Sequence, residues 1–462
     1  MRKIMIKTKQ RELAAYLESL EKAKNNDDKY ETARVSLQIG ILHQKRGDYN
    51  HALAYLQKAL DAAGTVGDTD LESRIYHHIG VAHQKRGDYD TAIDFHQKAL
   101  CLNEKLRNLS GVSKSYNQMG IVHQNRGDYD WALEYYYQSL AIAENIPDHD
   151  MISNCYQNIG IIHQKKGDYD KALELSHKAF EIKQASDDFH GLLRIYGQIG
   201  LLHKLKGDNA RAIEFTQKAL EIAENTGDQA GISRSYNQMG IIQLNRGELN
   251  KALAYYQKAL ETAEAIGDIP EVSHCYQNIG LVYQFKGCGE KAISYYQKAL
   301  SIAERIGDRA GIAQSHNYLG VAFQNRGDYG KALECYQKSL VIAETIGDIA
   351  SVSKNYHQLG IVHQDRRDYD NALEYYEKAL EISRKVGDIA GVAGSVCMVG
   401  KVMQIRKNYV DAYLKYLTAL DIFEKLGSPN VEVVHTYITG LTNEMGLDDF
   451  NSLIENLRNE TC

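Results

Sequence analysis

Three prolines in 462 residues leave almost nothing to interrupt helices, because a proline inside a helix removes a backbone donor and clashes with the preceding turn. Long apolar runs are missing too. No stretch reaches the about 18 apolar residues of a membrane span, and the basic segment 1–10 runs into polar RELAAYLESLEKAK without an apolar core of signal-peptide length. A cytoplasmic location with no membrane partner is expected. Excess charge of either sign is scarce as well: 54 Lys and Arg against 60 Asp and Glu give a net charge of −6. That balance argues against a nucleic-acid partner and leaves any electrostatic preference local. The seven cysteines (Cys101, Cys155, Cys275, Cys288, Cys335, Cys397 and Cys462) form no Cys-x-x-Cys pair and read as reduced small hydrophobes. No phosphate-binding Gly-x-x-x-x-Gly-Lys-Ser/Thr loop, Gly-x-Ser-x-Gly elbow or His-Glu-x-x-His helix occurs, so no enzyme, no cofactor and no metal are expected.

What the chain has in abundance is repetition. Glycine recurs every 40 residues from Gly40 through Gly80, Gly120 and Gly160 to Gly440, and alanine keeps step from Ala52 to Ala412. Within residues 113–127, Tyr116, Met119, Gly120 and His123 fall at i, i+3, i+4 and i+7, one stripe of a helix. Gly127 supplies a turn and Asp128 an N-cap, and a second stripe follows through Ala132, Tyr136, Ser139, Leu140 and Ala143. Each unit is therefore a helix, a turn and a helix. A mid-helix glycine costs about 1 kcal/mol against alanine, so Gly120 is expected to admit a close neighbour, the small alanine face around Ala132.

With aromatic-x-x-Leu-Gly-x-x-aromatic down the first helix and Ala, aromatic and Ala down the second, the chain resembles the tetratricopeptide repeat in a 40-residue form. Tyr116, Met119, Gly120, His123, Ala132, Tyr136 and Ser139 stand at the motif positions of one repeat. Tyr276, Ile279, Gly280, Tyr283, Ala292, Tyr296 and Ala299 stand at those of another. The resemblance covers about residues 30 to 427 and is nearest to long-repeat adaptors such as kinesin light chain and the Leu-Gly-Asn proteins. It implies an all-α, right-handed α-solenoid: an N-terminal capping helix in 1–30, ten helix pairs in 31–428, and a degenerate capping repeat in 429–462.

The repeated phrase reads as scaffold. His43, His83, His123, His163, His203 and His363 occur once per repeat, so neighbours lie roughly 10 Å apart at helix-packing distance, whereas a zinc ion needs its ligands at about 2 Å. They take a motif position usually held by an aromatic, and packing is the expectation. Asp88 and Asp90 read as caps on the second helix. Pairs such as Asp94/Lys98, Glu174/Lys178, Glu214/Lys218 and Glu374/Lys378 mark a solvated outer face.

Function is then expected on first-helix positions not spent on packing, which the resemblance places on a concave groove. One track is basic: Arg34, Arg74, Lys114, Arg194, Arg234 and Lys354, with Asn154, His274 and Gln314 between them. A second carries the amides Asn117, Gln157, Asn237, Gln277 and Asn317, and a third carries Gln44, Gln84, Gln124, Gln164, Gln284, Gln324 and Gln364. Amides both donate and accept, so such a ladder suits the backbone of an extended peptide. Asn117, Asn237 and Asn317 match the place where kinesin light chain carries asparagine. Leu205, Leu244 and Phe285 replace polar residues in three successive repeats and are expected to form an apolar pocket. The expectation is a monomeric, non-catalytic scaffold that holds an acidic or polar peptide segment of a protein partner. The alternative is a regulatory sensor whose superhelix changes curvature on binding a small peptide or signal.

Overall fold

The computed structural model describes residues 2–428 and 430–460, with side chains for 13–428, 430–455 and 457. Cys462 lies outside them, as do the side chains of Glu12 and Arg458. Among the described residues there are 23 α-helices and no strand. The helix Arg2–Asn25 is followed by ten pairs, then by Asn430–Met445 and Leu447–Glu460. The pairs are numbered here as repeats 1 to 10, beginning at Lys29 and every 40 residues thereafter, each with a helix A and a helix B. In repeat 3 these are Leu109–Arg126 and Tyr129–Asn145.

Local chemistry sets the boundaries. Asp68 accepts the Leu71 backbone N–H at 2.9 Å at the start of one helix A, a bond whose loss typically costs about 1 kcal/mol. Gly267 takes φ 70° just past the end of a helix B, in the left-handed region that glycine enters without a Cβ clash. The mid-helix glycine does admit a close neighbour, but a different one. A Cβ on Gly120 would lie 2.6 Å from Tyr136, and Gly240, Gly280, Gly320 and Gly360 stand in the same relation to Tyr256, Tyr296, Tyr336 and Tyr376. The tyrosine ring, not the Ala132 face, fills the space, because it projects from helix B sixteen residues on.

The phrase "GDYD" also does more than cap. Asp88 and Asp128 make no side-chain cap bond; instead they face His83 Nδ1 at 3.2 Å and His123 Nδ1 at 3.4 Å. The second acid of the phrase reaches the following repeat: Asp90 pairs with Arg126 at 2.8 Å, Asp130 with Lys166 at 2.6 Å and Asp370 with Arg406 at 2.6 Å.

Between five and six repeats complete one turn of the superhelix, and successive turns touch. Gly47 packs on Pro270, Gly87 on Ala310 and Ile346, Gly127 on Ala350, and Gly167 on Leu426. Tyr89, Ala92 and Val122 from the first turn share one apolar cluster with Ile346 and Ala310 from the second. Arg309 bonds Asp88 across the same seam at 2.5 Å. The first helix touches Leu249–Ile266 in line with these contacts. Burial at one register position records the seam: Val66 and Leu106 are 41% and 43% exposed, while Ile306, Ile346 and Val386 are 3%, 2% and 8% exposed. Burial beside Asp388 and Asp348 pushes the Tyr129 hydroxyl up to about 12, and Tyr49 and Tyr89 shift the same way.

Candidate functional site

The basic track stays in solvent. Arg74, Lys114, Arg194, Arg234 and Lys354 are exposed, as are Lys45, Lys85 and Lys165 about three turns further along helix A. Arg34 is exposed but held by Glu31 through bonds of 2.7 and 2.6 Å. Arg194 donates to Asn154 at 3.1 Å and Arg234 to the Ala230 carbonyl at 3.2 Å. Arg74, Lys114, Lys165 and Lys354 make no ion pair with any described residue. On the outer face several lysines are paired, Lys178 with Glu174 at 2.8 Å, Lys218 with Glu214 and Lys378 with Glu374 at 2.6 Å, while Lys58, Lys258 and Lys298 lie over tyrosine rings. Lys98 departs from the expected pairing with Asp94 and sits 4.7 Å over the Phe95 ring.

The amide track is placed differently from the sequence reading. Asn117 accepts from Asn158 at 2.8 Å, Asn237 accepts from Asn278 at 2.7 Å and donates to Glu271, and Asn317 donates to Asn355 at 3.2 Å. Gln277 donates to Ser315 at 3.2 Å, and Gln157 turns back to Ser153. All but the Gln157 bond, which stays within its own helix, join one helix A to the next, and Asn117, Gln157 and Gln277 are buried. Parallel stacking of successive A helices aims the position after the aromatic at the neighbouring repeat, so these amides stitch repeats together. The third track is committed as well. Gln124, Gln284, Gln324 and Gln364 accept from Tyr136, Tyr296, Tyr336 and Tyr376 at 2.9 to 3.1 Å.

Cavities on the inner face gather several of the expected residues. One of about 350 Å³ is lined by Arg74, Lys114, His77, His78 and Asp70. Another of about 380 Å³ is lined by His274, Gln314, Asn317, Asn355 and Lys354, and a smaller one joins Arg194 to Arg234. A fourth, about 390 Å³, spans the seam between Tyr129 and Lys165 of the first turn and Lys354, His357 and Asp388 of the second. Although Lys165 is exposed to the cavity, the walls of the two turns around its ammonium lower its affinity for a proton, nearby Lys354 lowers it further, and Asp388 and Asp348 oppose the shift. Burial holds His77, His78 and His357 down at about 4, so their rings are neutral at pH 7. A bond to Glu271 raises His274.

Leu205, Leu244 and Phe285 are not united in any one hydrophobic cluster of the described residues. Leu244 packs with Leu249 and Leu253, Leu205 is half-buried, and Phe285 is 64% exposed. The histidine series packs on aromatics, with ring centroids 5.3 Å apart for His123/Tyr135 and 5.4 Å for His203/Phe215. Its bond to the turn carboxylate five residues on is what the sequence reading missed, although the fixed spacing from His83 to Asp88 was there to find.

The model of the family described as tetratricopeptide repeat matches residues 31–105, 111–185, 191–265, 272–345 and 351–425. No curated protein matches the chain. Among solved structures, the Rap protein complexed with Competence and Sporulation Factor is 15% identical, with a TM-score of 0.53, over 77% of this chain and 99% of that one. BtubC (BKLC) from P. vanneervenii is 20% identical, TM-score 0.39, over 48% and 91%. A Signal Transduction ATPase with Numerous Domains protein with a tetratricopeptide repeat sensor, from Pyrococcus horikoshii, is 18% identical, TM-score 0.46, over 75% of this chain and 54% of that one. None of the described helices is long and apolar enough to cross a membrane.

Proposed function

Because this chain belongs to the tetratricopeptide repeat family, we propose that it is a non-catalytic scaffold holding an extended acidic segment of a protein partner along the inner face of its superhelix. One contrast supports this reading: the outer-face lysines of helix B are engaged, Lys178, Lys218, Lys338 and Lys378 by Glu and Lys58, Lys98, Lys258 and Lys298 by aromatic rings, whereas Arg74, Lys114, Lys165 and Lys354 have neither an ion-pair partner nor a ring among the described residues. Arg74 and Lys114 line one cavity and Lys165 and Lys354 another, and cations gathered in a cleft favour an anionic ligand because their fields add. The cations take the role first assigned to the amides, whose bonds run between repeats.

The test is fluorescence anisotropy with extended peptides graded from acidic to basic, on the wild type and on Arg74→Gln/Lys114→Gln/Lys354→Gln. Acidic peptides should bind best, lose affinity as salt rises from about 50 to 300 mM, and lose roughly another tenfold in the triple variant. Equal binding of basic peptides, or an unchanged triple variant, would refute the reading.

The seam favours a second reading, the regulatory sensor, because contacts between turns define a closed state distinct from a parted one. The Rap protein, similar in fold, is complexed with Competence and Sporulation Factor. A change in small-angle scattering on adding a bound peptide would favour the sensor; unchanged scattering would favour the passive scaffold.

A further inference from the structure

The first helix pair holds three potential metal ligands that the binding surface does not use. His43 lies in the last turn of helix A, Asp48 caps helix B, and His51 is its third residue. His43 Nδ1 is 3.3 Å from Asp48 Oδ2, and His51 Nδ1 is 3.0 and 2.9 Å from the two carboxylate oxygens. The ligand atoms of all three lie within 4.8 Å of one another. We propose that His43, Asp48 and His51 bind one divalent transition-metal ion, with Zn²⁺ the best chemical match.

The geometry is close to what the ion needs. Zinc bonds of about 2.0 to 2.2 Å in a tetrahedron set ligands about 3.4 Å apart, near the imidazole–carboxylate separations already present. Two imidazoles and a carboxylate suit zinc, and three protein ligands leave the fourth position to water or to a group from a partner. The His43 ring is held between His51, with centroids 5.3 Å apart, and Tyr55, at 5.7 Å, so little rotamer freedom remains to be lost on binding.

The other repeats act as internal controls. His83/Asp88, His123/Asp128, His163/Asp168 and His363/Asp368 repeat the pair, with Thr91, Trp131, Lys171 and Asn371 in place of His51. A third ligand within one repeat makes the difference, and the 40-residue spacing between histidines does not bear on it. The site adjoins the seam, where Gly47 meets Pro270 and Asn50 meets Gly307, so a bound ion would staple the turn that carries these contacts.

The test is calorimetric titration of the full chain with Zn²⁺, and of Co²⁺ followed by absorption. One ion per chain is expected, weakened about a hundredfold or more in His51→Thr and unchanged in His83→Gln. His51 is exposed, so the threonine variant should fold as the wild type does, checked by its circular dichroism melt. No saturable Zn²⁺ binding, equal binding by His51→Thr, or a cobalt–thiolate band showing that cysteines hold the ion would each overturn the proposal.

Discussion

Removing a hydroxyl should destabilise five repeats and spare a sixth. Tyr136, Tyr256, Tyr296, Tyr336, Tyr376 and Tyr416 are fully buried at the same place in helix B. Five of them donate to a glutamine twelve residues earlier, as Tyr336 does to Gln324 at 3.0 Å and Tyr416 to Gln404 at 2.7 Å. Tyr256 cannot, because Leu244 stands where that glutamine would be, and its hydroxyl has no hydrogen-bond partner among the described residues. A made bond contributes about 0.5–1.5 kcal/mol, whereas a stranded buried polar group costs about 1–3 kcal/mol. Tyr336→Phe should therefore cost about 1 kcal/mol, while Tyr256→Phe should be neutral or stabilise by about 1 kcal/mol.

Leu244→Gln completes the cycle. It gives up part of the apolar contact with Leu249 and Leu253, about 1 kcal/mol for a half-buried leucine, and supplies the missing acceptor. In that background Tyr256→Phe should become destabilising, with a coupling energy near 1 kcal/mol. Long repeat arrays do not always unfold in two states, so the assay is amide hydrogen exchange in residues 229–266 beside global urea melts. Equal losses for Tyr256→Phe and Tyr336→Phe in the wild-type background would refute the reasoning.

His96 takes that tyrosine's place in repeat 2, fully buried with neither ring nitrogen bonded, and burial holds it at about 3. Since His96, His77 and His357 refuse protons in the folded state that the unfolded chain accepts near 6.5, stability should be full above that pH and fall as pH drops toward about 4. His96→Tyr, with Gln84 as acceptor, should raise the melting temperature and flatten the acid limb. Lys183 stands in a core alanine position, 2% exposed and bound to Asp150 and Asp188 at 2.5 and 2.7 Å. Urea melts should show Lys183→Ala within about 1 kcal/mol of wild type, because both carboxylates stay solvated, while Asp150→Ala/Asp188→Ala strands the ammonium and costs about 3–5 kcal/mol. Ala310→Glu with Ala350→Glu should part the turns, raising the radius of gyration in small-angle scattering while helix content holds; an unchanged radius would show that the seam does not close the superhelix.

The period and the pairing of helices were legible because each depends on spacing within about 40 residues. The partner of the mid-helix glycine was misjudged because Ala132 and Tyr136 lie on one face of helix B, and sequence spacing does not say which of them reaches the glycine. The bonds that the amides make between repeats were hidden for a related reason: a polar residue beside the groove can bond across to the next repeat, as Asn158 does to Asn117. The seam depends on the summed rotation of many repeats, which no local pattern encodes. It left a trace nonetheless. The second residue of helix A is Asp70, Ser110, Asp150 and His190 in the first turn, but Pro270, Ala310, Ala350 and Ala390 where the second turn meets the first.

Closure along the seam changes what a partner must do to bind. With the turns in contact, an extended segment can reach the cavity between Lys165 and Lys354 by entering along the axis or by parting the seam. Parting exposes Ile346 and Tyr89 and releases the Arg309–Asp88 pair. At about 1.5–3 kcal/mol for each large buried side chain, the parted state lies several kcal/mol above the closed one. A partner that binds the parted form must offset that difference, and seam substitutions that remove it should tighten binding; a partner that threads the closed bore gains nothing from them and loses its second wall. The sign of the affinity change in Ala310→Glu/Ala350→Glu therefore separates a superhelix that opens to its partner from one that is threaded by it.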